Sequence, residues 1–110
     1  MSLRTVPEAL HVIINGTGGT IAAVAAVALQ RVGIYRMILV IGSPAVSVTI
    51  QDTAGGALSA PYPLAANGSI TIDTPINGDP WWQSSIGLGI QIFQSGTTQI
   101  SADLFYLQGP

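Results

Sequence analysis

Ala45-Val46-Ser47-Val48-Thr49-Ile50-Gln51 alternates without a break: Val46, Val48 and Ile50 fall on one side, Ala45, Ser47, Thr49 and Gln51 on the other. Successive side chains of a strand point to opposite faces, so a period of two marks a strand with one buried face. The pattern returns three times downstream. Residues 68–74 set Ile70 and Ile72 against Ser69, Thr71 and Asp73. Residues 87–93 set Leu88, Ile90 and Ile92 against Gly87, Gly89, Gln91 and Phe93. Residues 98–107 set Ile100, Ala102, Leu104 and Tyr106 against Gln99, Ser101, Asp103, Phe105 and Leu107. Between the runs stand Gly42-Ser43-Pro44, Asp52-Thr53-Ala54-Gly55-Gly56, Ala66-Asn67-Gly68, Asn77-Gly78-Asp79-Pro80 and Ser95-Gly96-Thr97. Such segments fix turns or tolerate positive φ. Short strands about 8 to 12 residues apart, with turn chemistry between them, predict an all-β domain of short antiparallel strands, a β-sandwich or a small barrel.

Toward the N-terminus, residues 31–41 are apolar on both sides, with Val32, Ile34, Ile38 and Val40 set against Tyr35, Met37, Leu39 and Ile41. That predicts a central strand covered on both faces. Residues 21–29 combine alanine, which favours helix, with flanking glycine and β-branched residues, which favour strand; strand is the expectation. Residues 10–15 read as a strand and Gly16-Thr17-Gly18-Gly19 as a hinge. The predicted organisation is an N-terminal arm with its glycine hinge over 1–19 and one β-sandwich domain over 20–110, since 110 residues suffice for a single core.

Charge is the anomaly in composition. Hydrophobic residues make up 48% and charged residues only 7%, against about 25% charged in an ordinary soluble domain. A lone domain uses charge to keep its surface wet and its copies apart. A subunit covered by neighbours does not need it, because interface centres are depleted in charge. Arg4, Arg31 and Arg36 are the only cations, there is no lysine, and the net charge is −2, so no phosphate-neutralising patch can form and nucleic acid is not an expected partner. With no cysteine, disulfides and thiolate chemistry are excluded. Mean hydropathy is +0.53, but no run approaches the roughly 20 apolar residues of a helical membrane span, and Glu8 and His11 ahead of the first apolar stretch argue against a signal peptide. No membrane partner is expected.

If Ile100, Leu104 and Tyr106 face the core, Phe105 and Leu107 face outward, and Phe93 lies beside them from the preceding strand. An exposed patch of this kind marks a partner surface, and soluble oligomers are normally symmetric; the competing reading is a bulge that swaps the faces. Phe93, Phe105 and Leu107 are therefore expected at a homo-oligomer interface. Arg36, costly if buried alone, is expected to pair there with Asp103. Trp81 and Trp82 follow a loop and, with Tyr62, form a candidate ligand platform, since tryptophan faces stack on sugars. The competing reading has one tryptophan capping the core and the other packing on a neighbour.

Enzyme chemistry finds little support. His11 is the sole histidine and no nucleophile elbow accompanies it. Acids scattered singly offer no metal cluster, and the glycines at 16–19 lack the Gly-Lys-Ser/Thr of a phosphate loop. No catalysis, cofactor or metal is expected.

The order Arg31-Val32-Gly33-Ile34-Tyr35, then residues 45–52, then residues 58–68, then the loop ending in Trp81, then Gly87-Leu88-Gly89-Ile90-Gln91-Ile92 and a closing strand resembles small β-sandwich proteins of tailed-bacteriophage virions, capsid decoration proteins and head-fibre domains among them. The resemblance spans residues 26–107. It implies a jelly-roll-like sandwich, a homotrimer as the oligomeric form, the major capsid protein as partner, and a place on the outer capsid surface of the virion. No active-site residues accompany it. On this reading the chain is a capsid decoration or cement protein, and Leu3, Val6, Leu10 and Val12 belong to a capsid-docking arm. The rival is a receptor- or glycan-binding fibre or tail module built on Tyr62, Trp81 and Trp82.

Overall fold

The computed structural model describes residues 9–110 and contains no helix among them. Nine strands form: β1 (Leu10–Gly16), β2 (Thr20–Val24), β3 (Arg31–Ile41), β4 (Val46–Asp52), β5 (Tyr62–Leu64), β6 (Ser69–Asp73), β7 (Trp82–Gln83), β8 (Ile90–Gln94) and β9 (Ile100–Gly109). They make two antiparallel sheets, one in the order β1-β9-β3-β6 with β7 also on β3, the other in the order β2-β8-β4-β5. β6 and β7 lie end to end along one edge of β3, against residues 36–40 and 33–34 respectively. Counted as one strand, they leave a nested pairing of first with last, second with second-last, third with third-last, and the middle two with each other. That is the strand order of a jelly roll.

The alternating apolar residues build the core. Val46, Val48 and Ile50 of β4, Ile90 and Ile92 of β8, and Ile100, Ala102 and Leu104 of β9 are buried between the sheets. β3 departs from expectation. Its register against β9 slips between Ile34 and Arg36, where Tyr35 is the extra residue of a bulge. Val32 and Ile34 face the core before the bulge; Met37, Leu39 and Ile41 face it afterwards. The two-sided apolarity of residues 31–41 is thus two one-sided patterns of opposite phase, and Ile38 and Val40 lie on the outer face.

Two further expectations are corrected. Residues 21–29 are strand only as far as Val24; residues 25–30 form the turn into β3. The strand predicted from residue 10 does not stand apart from the domain. β1 pairs with β9 over all seven of its residues, Ile14 is buried and Val12 packs on the core, because the alternation of Val12 and Ile14 supplies a core face of its own. Leu10 and Val12 therefore belong to the sandwich, whose boundary moves from residue 20 to the start of β1. Leu3 and Val6 lie outside the described residues.

Candidate interaction site

The outer face of the β1-β9-β3-β6 sheet forms a grid whose rows follow from register. One row runs His11, Phe105, Arg36, Asp73; the next Ile13, Asp103, Ile38, Thr71; the third Asn15, Ser101, Val40, Ser69. In the first row the His11 and Phe105 rings stack at 4.5 Å between centroids with planes 8° apart. The Arg36 guanidinium sits 5.8 Å from the same ring centroid on the other side, a cation–π arrangement. His11 Nε2 lies 2.8 Å from Asp103 Oδ1, and Ser101 Oγ donates to Asn15 Oδ1 at 2.7 Å. In the same rows as Asp103 and Ser101, Ile13 is 68% exposed, Val40 45% and Ile38 37%, and they border a shallow hollow of about 290 Å³ with those two polar residues.

The expected interface residues are redistributed. Phe105 and Leu107 are half-buried rather than bare, since His11 and Arg36 flank the Phe105 ring. Asp103 does not pair with Arg36: it takes His11, and register sets Asp73 opposite Arg36. Phe93 is exposed but lies on β8, in the other sheet, between Thr20 and Thr49. The segment from Ser95 to Gln99 carries the chain from one sheet to the other, so Phe93 and Phe105 occupy opposite outer faces and form no common patch. A third apolar surface is the tip made by the β2–β3 turn and the loop before β8, where Val27, Leu29 and Ile86 are exposed and Gly87 N donates to Gln30 O.

Tyr62, Trp81 and Trp82 come together. Trp82 is buried on β7 and its ring centroid lies 6.5 Å from that of Tyr62 on β5, in the opposite sheet, so the pair closes the sandwich along that side. Trp81 stands edge-on to Trp82 at 6.4 Å and is 51% exposed. One tryptophan therefore caps the core and the other is presented outward. His11, the sole histidine, is engaged by Asp103 and Phe105, with no serine hydroxyl among its partners in the described residues.

No protein family, curated protein or solved structure matches the chain. The candidate surfaces are thus defined by their own chemistry. Among the described residues no three His, Cys, Asp or Glu side chains gather where a metal ion could be held.

Proposed function

We propose that this chain is a non-enzymatic structural subunit that works by packing against copies of itself, and that its role is capsid decoration or cementing on the outer surface of a bacteriophage head. The observation that carries the proposal is the outer face of the β1-β9-β3-β6 sheet, where Ile13, Ile38 and Val40 lie open in a chain with 7% charged residues. Phe93 on the opposite sheet and the Val27–Leu29–Ile86 tip add exposed apolar surface on other sides. A subunit enclosed by neighbours accounts for all three at once. The jelly-roll strand order accords with the resemblance to phage virion proteins, which favours three copies and the major capsid protein as partner.

The mechanism is mass action. A subunit that binds only the assembled shell lowers the free energy of that shell by RT ln(1 + [L]/Kd) per site, with no bond made or broken. The proposal is tested by placing a charge on the face: Ile38→Glu and Val40→Lys, both at exposed positions, are expected to disperse the assembly in sedimentation velocity while leaving the far-ultraviolet circular dichroism spectrum and a cooperative unfolding transition in place. Unaltered assembly in both variants would overturn the assignment of this face.

The second reading, a glycan-binding fibre or tail module, is favoured by one observation, the outward presentation of Trp81 against the Trp82–Tyr62 pair. A glycan array comparing the parent with Trp81→Ala separates the two readings: loss of a positive signal supports the module, and absence of signal from both proteins supports the structural subunit.

A further inference from the structure

Every open sheet has edges whose unpaired N–H and C=O groups invite another strand, and proteins blunt them with prolines, charges, bulges or short length. Among the described residues this sandwich has four such borders. β5 is three residues long with Pro63 inside it. β2 is interrupted by a register shift between Ala22 and Val24. The border shared by β6 and β7 is split in two, with Asp73 ending one piece and only two residues in the other. β1 has none of these devices. It runs seven residues, Leu-His-Val-Ile-Ile-Asn-Gly, in unshifted register against β9, without proline, lysine or acid.

We propose that the bare border of β1 is a docking edge for a second copy of this chain, the two β1 strands pairing antiparallel about a two-fold axis so that the sheet continues from one subunit into the next. The inference rests on the self-assembly proposed above and says where one of its contacts lies. A two-fold pairing centred on Ile13 uses all seven residues and sets Val12 opposite the partner's Ile14 and His11 opposite the partner's Asn15. Because opposed residues then share parity, core-facing side chains meet core-facing ones and outer ones meet outer ones. Ile13, 68% exposed in one subunit, meets its own copy at the axis. The strand's one ionisable group, His11, is kept from its copy by four residues, about 13 Å of strand. No like charges oppose each other, and cross-strand apolar pairs are the stabilising unit of a sheet. Such a contact is two-fold, so it pairs monomers into dimers or joins two trimers into a hexamer.

The test compares the parent with Ile13→Lys by sedimentation velocity. The substituted side chain points outward at an exposed position, so the fold can hold it, while two lysines would face each other at the axis. The expected result is half the parent's assembled mass with an unchanged far-ultraviolet circular dichroism spectrum and a retained cooperative unfolding transition; an unchanged mass overturns the edge contact. Ile13→Cys, in a chain with no other cysteine, is expected to give a covalent dimer with a short bismaleimide, and failure to cross-link while assembled overturns it too. A parent that is monomeric from the outset refutes the self-assembly itself, whereas an assembled parent with indifferent variants refutes only the edge.

Discussion

Gln94 and Thr98 show how a polar pair can be as structural as the core. Both are buried; Gln94 Nε2 donates to the carbonyls of Gly18 and Thr98 at 2.9 Å, its Oε1 accepts from Thr98 N at 2.9 Å, and Thr98 Oγ1 donates to Pro44 O at 2.6 Å. The pair ties the β1–β2, β3–β4 and β8–β9 connections at one end of the sandwich. Gln94→Ala strands several of these groups, and each buried unsatisfied group costs about 1–3 kcal/mol, so urea unfolding should show a loss of roughly 3 kcal/mol. A loss below about 1 kcal/mol would mean that water replaces the network. In the sequence, Gln94 lies on the core side of the 90, 92, 94 alternation, but a glutamine there carries no hint that three loops converge on it. Trp82 and Trp81 were legible as a pair but not in their division. Trp82→Ala should cost about 3–5 kcal/mol as a buried large side chain, and Trp81→Ala should stay within about 1 kcal/mol as a half-exposed one, both read from the same denaturant curves. Leu29 holds φ at +65° while exposed, a conformation that disfavours an L-residue by about 1–2 kcal/mol. Leu29→Asn should therefore raise stability by about 1 kcal/mol; a neutral or negative change would mean that Leu29 is held by packing.

At the scale of elements, the alternating runs gave β4, β6, β8 and β9 their positions because period two survives translation into structure wherever one face is buried. β3 was only half legible. A bulge at Tyr35 inverts the phase in mid-strand, and nothing in Gly-Ile-Tyr-Arg-Met marks which residue is extra. It is this inversion that turns Arg36, Ile38 and Val40 outward and so creates the candidate face. Without Tyr35 the core residues of β3 would fall in one unbroken alternation, because Ile34 and Arg36 already face the consecutive residues Tyr106 and Phe105. Deletion of Tyr35 is therefore expected to keep a cooperative unfolding transition and to lose only what burial of its side chain contributes, whereas deletion of Ile38 should turn the end of β3 inside out, since a slip of one residue exchanges the faces. A Tyr35 deletion that no longer unfolds cooperatively would contradict its place as the extra residue. Gly89 answers a different need: a Cβ there would collide with the backbone of Val24, Ala25 and Ala26, where the β2–β3 turn crosses the start of β8. Gly89→Ala forces that turn away, and a lowered midpoint with increased protease cleavage in residues 25–30 is the expected readout.

At the scale of the molecule, an all-β domain of short strands was readable from strand spacing, which left sandwich and small barrel open, while the pairing of β1 with β9 was hidden behind the glycines at 16–19, which resemble a hinge but serve as the link between sheets. The patch expected from Phe93, Phe105 and Leu107 failed for the same topological reason, because consecutive strands β8 and β9 belong to different sheets. What composition did convey is that the exterior is poor in charge, and the fold places Ile13, Ile38, Val40, Phe93 and Leu29 on that exterior. Whether this exterior is covered is decided by the mass of the purified chain in light scattering across nanomolar to micromolar concentration. Association through these surfaces predicts a defined multiple of 11.3 kDa that persists on dilution, and a particle of 11.3 kDa at micromolar concentration would contradict it.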